Sequence, residues 1–152
     1  GRYYVEFFRD IQKNSPEDPQ HLLNLARAYS KTNKDSLAVV QLQKLLRADG
    51  SQRDGWSELA LCYIRLSKQE LAQRALNSLL DLHPNYDEAH VERVRVLLDA
   101  GEAREAMANA IFSLECKGIS SEVRDWLENI SGYLELNLQP DAGVLAVPKG
   151  LR

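Results

Sequence analysis

The sequence repeats itself at a constant interval, and this repeat constrains the fold more than any other feature. A small residue recurs at this interval, at Ala38, Ala72 and Ala106. An earlier position holds a larger side chain each time, at Leu22, Trp56 and His90. A constant period of this length, about 34 residues, is typical of solenoids, in which each repeat buries its apolar faces against its neighbours. We therefore predict three repeats, at residues 19–52, 53–86 and 87–120.

Each repeat is predicted to be a pair of helices. In the first repeat, Leu22, Leu25 and Tyr29 recur at helical spacing, and a second apolar run follows the polar segment 32–35. A short polar turn between two such runs is typical of antiparallel neighbours. A glycine or proline then ends each second helix, at Gly50, Pro84 and Gly118. The turn residues and the core residues have the same period, so both signals support one assignment.

The second repeat closely resembles a tetratricopeptide repeat (TPR). The positions that carry the resemblance are Trp56, Leu59, Ala60, Tyr63, Ala72, Leu76, Leu79 and Pro84. The first repeat is nearly as similar, with Leu22 in place of the tryptophan and Gly50 in place of the proline. The third is degenerate and departs from the pattern at His90, Arg93, Ala110 and Gly118. The resemblance implies an all-α fold: a right-handed α-solenoid of TPR helix hairpins, with about three repeats plus flanking helices.

The N-terminal segment, residues 1–18, has two interpretations. It is either the second half of an earlier repeat or a separate N-terminal helix. The first interpretation places Phe8, Ile11 and Pro16 on matching positions of the repeat.

The C-terminal part divides into a helix and a tail. Residues 121–137 carry one apolar stripe, which predicts a helix that caps the last repeat. Residues 138–152 contain Pro140 and Pro148 among glycines, which predicts a non-helical tail or linker. Two alternatives are open for this tail: a disordered end, or a segment whose residues 144–147 dock in an apolar surface.

Composition excludes some classes of function. The net charge of −3 disfavours nucleic-acid binding, which needs a clustered basic surface. No apolar stretch approaches the roughly 20 residues that cross a bilayer, so we expect a soluble protein without direct membrane insertion, in either the cytoplasm or the periplasm. Cys62 and Cys116 are far apart and lack a Cys-x-x-Cys spacing, so we expect two free thiols.

The resemblance also implies a binding site. The first helices of TPR proteins line a concave groove that takes up peptides, so we expect a protein–protein interaction scaffold whose partner is a protein or peptide. Carried over to this sequence, the groove is lined by Gln20, Leu23, Asn24, Arg27, Lys31, Asp54, Ser57, Glu58, Leu61, Arg65, Glu88, Val91, Glu92, Arg95 and Asp99. The clamp with which some TPR proteins hold the carboxylates of chaperone tails is disfavoured, because Glu58, Glu88 and Glu92 would repel a carboxylate.

The repeats differ in charge. Residues 19–52 carry five basic and two acidic side chains, whereas residues 87–120 carry four and seven. One interpretation is that these charges only solvate the helix faces. The other is that they orient a ligand whose acidic part lies near Arg27 and Lys31 and whose basic part lies near the third repeat.

We expect no enzyme, no cofactor and no metal site. The histidines His21, His83 and His90 are scattered, and the sequence lacks metal-ligand spacings, phosphate-binding loops and nucleophile motifs. The alternative to a binding scaffold is a structural or assembly component of a larger complex, for example of secretion or export machinery, or a self-associating array. The N-terminal helix would then form a homodimer through its aromatic residues Tyr3, Tyr4, Phe7 and Phe8.

Overall fold

The structure, a computed structural model, describes residues 2–3, 5–6 and 18–151. The predicted matches at Phe8, Ile11 and Pro16 lie outside the described residues, so the earlier half-repeat remains a prediction. In the part of the N-terminal segment that is described, Val5 is buried and Tyr3 is 79% exposed.

Residues 2–3 and 5–6 are helical, residues 18–151 form seven α-helices, and no described residue lies in a strand, which confirms the all-α prediction. The starts of successive first helices are separated by one repeat length, and so are the starts of successive second helices. In chain order the helices are α1 (Pro19–Lys31), α2 (Asp35–Ala48), α3 (Arg53–Arg65), α4 (Gln69–Leu82), α5 (Asp87–Asp99), α6 (Ala103–Leu114) and α7 (Ser121–Glu135). No helix in the described ranges is long and apolar enough to cross a membrane.

The first helices α1 and α3 and the helix α7 each begin at a polar side chain that caps them. Asp18, Gln52 and Ser120 each accept a hydrogen bond from a backbone N–H two or three residues further on, at 2.9, 3.0 and 3.3 Å. These bonds satisfy N–H groups that have no partner inside the helix. Because Ser120 lies on the period of the repeat, α7 begins where the first helix of a fourth repeat would begin.

The first helices also end in the same way. The backbone is left-handed at Asn33, Ser67 and Gly101, with φ of 58°, 58° and 76°. The N–H of the following residue then donates to the carbonyl five residues before it, at 2.9 Å in all three turns. This is the hydrogen bond of a Schellman motif, which satisfies carbonyls at the helix end.

The predicted capping helix, α7, ends with this motif too. Asn137 has φ of 55°, and the N–H of Leu138 donates to the carbonyl of Tyr133 at 2.9 Å. The helix has 15 residues, two more than α1, and it ends at Glu135 where the sequence predicted residue 137. The helix α7 therefore has both the start and the stop of a first helix.

The chain forms two compact units, Gly1–Ser78 and Leu79–Arg152. In the N-terminal unit, α1 packs on α2, α2 packs on α3, and α1 also contacts α3. The absence of a long side chain at Ala38, which is fully enclosed, allows α2 to pack closely. The core of the N-terminal unit includes Leu22, Leu25, Ala26, Tyr29, Ala38, Leu42, Leu45, Leu59, Ala60, Tyr63, Ala72 and Leu76.

In the C-terminal unit, α5 packs on α6, α6 packs on α7, and α5 also contacts α7. One cluster of buried apolar residues joins the three helices. Its members are Val91, Val94, Leu97, Leu98, Ala106, Ala110, Ile119, Val123, Trp126, Leu127 and Ile130.

The tail after α7 packs against this cluster. Val144, Leu145, Val147 and Leu151 are partly buried on it, and Pro140 is buried. The tail contains turns and one 3-10 helix, Lys149–Leu151, but no α-helix within the described residues. Of the two alternatives that the sequence left open, the described tail corresponds to the docked segment.

Candidate functional site

A cavity of about 410 Å³ lies between the first helices of the first two hairpins. Arg27, Ser30 and Lys31 of α1 line one side of it, and Glu58 and Arg65 of α3 line the other. Four of these five residues were predicted to line the groove. Ser30 was missed, although it lies one helical turn after Arg27 and so faces the same side of α1.

Ion pairs hold the two arginines of this cavity. The Nε of Arg27 lies 3.3 Å from Oε1 of Glu58, and its Nη2 lies 3.6 Å from Oδ2 of Asp54. The Nη2 of Arg65 lies 2.9 Å from Oδ1 of Asp35. Because carboxylates of the chain already neutralise both guanidinium groups, these arginines are pre-positioned but not strongly attractive to a further anion.

Lys31 differs from the arginines. Its side chain is exposed at the cavity, and it forms no ion pair with any residue in the described ranges. An ammonium group without a carboxylate partner is the group here that gains most from an incoming anion. Lys31 is therefore the strongest candidate for contacting a ligand in the N-terminal unit.

The other predicted lining residues of this unit differ in exposure. Gln20 is exposed and donates through Nε2 to Oδ1 of Asn24 at 3.1 Å. Ser57 and Leu61 are half-buried. Leu23, which was also predicted to line the groove, is only 2% exposed and so contributes to packing.

In the C-terminal unit the predicted residues separate into buried and accessible ones. Val91 belongs to the apolar cluster, and Glu92 is buried with its Oε1 2.8 Å from Nη1 of Arg95. Glu88 is half-buried and Asp99 is exposed. The carboxylate of Glu92 is thus paired with Arg95, whereas Asp99 is open to solvent.

Two of the residues at which the third repeat departs from the TPR pattern, His90 and Arg93, form a buried polar network with Ser113. The Nε2 of His90 lies 2.7 Å from the carbonyl of Pro84, which can only accept, so Nε2 carries the proton. The Nδ1 then accepts from Oγ of Ser113 at 2.7 Å, and Nη2 of Arg93 donates to this Oγ at 3.4 Å. Burial lowers the pKa of His90, and the charge of Arg93 lowers it further against the effect of the Pro84 bond. A neutral imidazole therefore fills the position that holds Trp56 in the second repeat.

This network serves the core and not a reaction. Ser113 is fully buried and His90 is 1% exposed, so the serine–histidine pair has no access to a substrate. Arg93 also lies with its guanidinium carbon 5.8 Å from the ring centroid of Phe112, a cation–π contact. Burial lowers the pKa of Arg93.

The two cysteines are free, as predicted. Cys62 is buried, with its Sγ 3.4 Å from Oγ of Ser30 and 3.5 Å from Nη2 of Arg65. Burial raises the pKa of Cys62, so its reactive thiolate form is disfavoured. Within the ranges that the structure describes, no three His, Cys, Asp or Glu side chains are grouped as a metal ion would require.

A second cavity, of about 430 Å³, lies between α2 and α3. The indole Nε1 of Trp56 donates to the carbonyl of Gly50 at 2.8 Å, and Nε2 of Gln43 donates to the hydroxyl of Tyr63 at 3.3 Å. The indole N–H of Trp56 and the hydroxyl of Tyr63 thus each have a hydrogen-bond partner within the chain. The lining residues are Gln43, Leu46, Arg47, Trp56, Leu59 and Tyr63.

Recurring caps, recurring left-handed turns and an accessible face of first helices define an all-α protein of repeated helix hairpins. Solved structures with a similar fold include TPR proteins. The crystal structure of MamA matches with a TM-score of 0.74 at 17% identity, over 97% of this chain and 78% of that chain.

Two peptide complexes match as well. The Yersinia enterocolitica type III secretion chaperone SycD, in complex with a peptide of the translocator YopD, has a TM-score of 0.67 at 17% identity, covering 78% of this chain and 92% of its own. The first TPR of Spaghetti (RPAP3), bound to the HSP90 peptide SRMEEVD, has a TM-score of 0.62 at 24% identity, covering 77% and 95%. The fold of this chain is therefore the TPR fold. No protein-family model matches the sequence, and no curated protein matches it either.

Proposed function

We propose that this chain is a protein-interaction scaffold that binds an extended segment of a partner along the first helices of its hairpins. The observation that carries the proposal is the cavity between α1 and α3, where Lys31 presents a cation without an ion pair in the described ranges. Two proteins with this fold were solved with peptides bound, SycD and RPAP3, which supports a peptide as the ligand.

The chemistry of the N-terminal unit favours an acidic side chain at this cavity. A ligand carboxylate at Lys31 would gain a charge-assisted hydrogen bond without displacing an existing partner. The amides of Gln20 and Asn24, further along α1, can pair with the main chain of an extended peptide. Glu58 stays neutralised by Arg27, so it opposes the ligand less than its charge suggests.

For the C-terminal unit we propose a basic ligand segment. Asp99 is an exposed carboxylate of the predicted set, whereas Glu92 is paired with Arg95. The ligand would then carry acidic residues for one unit and basic residues for the other, in the order that the charges of the repeats favour.

The test is an affinity purification with the whole chain as bait and two matched charge reversals. Lys31→Glu reverses the cation at the cavity. Lys44→Glu makes the same change at an exposed position of α2, outside the lining of the cavity. We expect a partner to be retained by the wild type and Lys44→Glu and lost by Lys31→Glu.

A peptide array distinguishes binding that depends on the order of the charges from non-specific binding. Partner peptides with acidic and basic halves are compared with peptides of reversed order and equal composition. Equal binding of both orders would refute the charge-order proposal, and a partner retained by Lys31→Glu would refute the cavity as the binding site.

A second candidate is self-association through the N-terminal segment. The observation that favours it is Tyr3, whose large aromatic side chain is 79% exposed. Tyr4, Phe7 and Phe8 lie outside the described residues. Sedimentation velocity over a hundred-fold concentration range should show a dimer in the wild type that Tyr3→Ser weakens, and a monomer throughout would exclude this candidate.

A further inference from the structure

The tail that follows α7 begins with a turn that its own residues stabilise. Its first turn is held by its own contacts: Oδ1 of Asp141 accepts from the N–H of Val144 at 2.9 Å, and the carbonyl of Asp141 accepts from the N–H of Leu145 at 3.0 Å. An aspartate that bonds to nearby backbone N–H groups in this way pre-forms a turn without help from the rest of the protein. The segment thus presents its aliphatic side chains in a defined local shape.

The surface beneath the tail combines apolar contact with one directional bond. Val144, Leu145 and Val147 rest partly buried on the cluster of α5, α6 and α7. The Nε1 of Trp126, on α7, donates to the carbonyl of Ala146 at 3.1 Å. An aromatic donor that fixes a backbone carbonyl, beside contacts for flanking side chains, is how many sites recognise peptides independently of most of their sequence.

The tail is held less firmly than the helices beneath it. The cluster residues Val123, Leu127 and Ile130 are fully enclosed, whereas the tail side chains on them, Val144, Leu145, Val147 and Leu151, are only partly buried, and among the described tail residues only Pro140 is buried. Within the described residues, the bond from Trp126 to Ala146 is the one hydrogen bond between a side chain of α7 and the tail. The tail can therefore detach at a smaller free-energy cost than a helix of the same unit.

We propose that the surface under the tail, formed around Trp126, is a second peptide-binding site whose resting occupant is the chain's own segment 140–151. Its external ligand is an aliphatic peptide with two or three Val or Leu side chains around a turn, and a backbone carbonyl that accepts from Trp126. Such a peptide displaces the tail. The inference rests on the proposed function in so far as both make the chain a peptide-binding scaffold, but it concerns other residues and a ligand of other chemistry.

A competition experiment on the whole chain tests this site. The probe is a fluorescently labelled synthetic peptide of residues 139–151, followed by anisotropy. The double variant Leu145→Asp/Val147→Asp releases the tail by placing charges against the apolar cluster. Leu138→Asp is the matched control, because Leu138 precedes the docked segment and is exposed.

We expect the released variant to bind the probe at least about ten-fold more tightly than the wild type or Leu138→Asp, because a tethered tail competes at a high effective concentration. Trp126→Phe in the released background should weaken probe binding several-fold, since the indole N–H is lost. Lys31→Glu in the same background should leave probe binding unchanged. The proposal for this site and the proposal for the cavity at Lys31 can therefore be refuted independently of each other. Equal affinities for the wild type and the released variant would overturn the proposal, as would no binding to a released variant that circular dichroism shows to be folded.

Hydrogen exchange on the wild type covers the case in which the released variant does not fold. The amides of Val144 and Leu145 should exchange at least about ten-fold faster than those of the middle of α7, because the tail opens without unfolding of the helices. Exchange of both sets at one common rate would show that the tail is part of the core, and would overturn the proposal.

Discussion

Asn33 and Ser67 occupy the same position in successive repeats and have the same left-handed backbone conformation, with φ of 58° in both. Gly101, at this position of the third repeat, is left-handed as well, with φ of 76°. Three different residues therefore adopt one conformation that ordinary side chains disfavour. The position in the turn, and not the residue type, determines the backbone geometry, and the sequence meets this demand best with glycine.

Gly101→Ala should lower the free energy of unfolding by about 1–2 kcal/mol, because a Cβ is strained in the left-handed region. The change in unfolding free energy should report only the strain of the left-handed backbone, since a Cβ at this position would meet no atom within 4 Å. Urea denaturation followed by circular dichroism measures it. An unchanged midpoint would mean that the turn relaxes to another conformation.

Gly132→Ala should have the opposite sign and raise the free energy of unfolding by about 0.5–1 kcal/mol. Gly132 lies inside α7, where alanine loses less chain entropy than glycine on folding. A Cβ there would also meet no atom within 4 Å, so no packing change complicates the comparison. The same urea experiment applies, and destabilisation by this substitution would contradict the helix assignment at this residue.

Stability should fall on acidification because of His90. Its pKa is lowered in the folded state below the ordinary value of 6.5, chiefly by burial, so the folded protein binds this proton less readily than the unfolded chain. Stability from this residue is therefore complete above pH 6.5 and decreases as the pH falls below it, with a slope limited to about 1.4 kcal/mol per pH unit for one proton. The loss of stability from His90 ends once the pH is below the pKa of His90 in the folded state.

The measurement is urea unfolding between pH 8 and pH 5, on the wild type and on His90→Phe. The variant keeps a large ring at this position and has no titrating group there. It should be less stable at pH 8, because the hydrogen bonds of His90 with Ser113 and with the carbonyl of Pro84 are lost. Its unfolding free energy should nevertheless vary less with pH, and an identical pH dependence in both proteins would assign the effect to other groups.

The ion pair between Arg65 and Asp35 should contribute more than an exposed pair of similar type. The side chain of Asp35 is only 12% exposed, whereas those of Arg74 and Glu70 are 73% and 85% exposed. A double-mutant cycle with Arg65→Gln and Asp35→Asn should give a coupling of about 0.5–1 kcal/mol, against about 0.3 kcal/mol for Arg74→Gln and Glu70→Gln. Equal couplings would show that burial of Asp35 does not strengthen the pair.

Much of the fold could be predicted because its period is visible in the sequence. Core positions such as Ala38 and Leu42, and the starts of the helices, recur once in every repeat whatever surrounds them. The end of α7 was predicted at about residue 137; the helix ends at Glu135, and its left-handed stop lies at Asn137.

The candidate site could be predicted less completely. The resemblance to TPR proteins predicted Arg27, Lys31, Glu58 and Arg65, and the structure brings these four residues to one cavity. The resemblance does not show what covers a side chain, and it therefore placed the buried Leu23 and Val91 on an accessible face.

The repeat period of the sequence does not predict contacts between residues that are far apart in the chain. The bonds of His90 to Ser113 and of Trp126 to Ala146 join residues that occupy unrelated repeat positions. No spacing in the sequence predicts either bond, because each depends on how one helix or the tail packs on another. The polar core of the third repeat and the docked tail therefore required the structure.

The matching caps and turns have a consequence for how such a chain can change in length. A whole segment such as 53–86 can be duplicated or deleted with the spacing of the helix starts preserved and every left-handed turn kept inside its hairpin. An insertion of one or two residues within a hairpin instead shifts one helix against its cap. Variation in length is therefore expected in steps of one whole repeat, both in natural sequences of this architecture and in engineered ones.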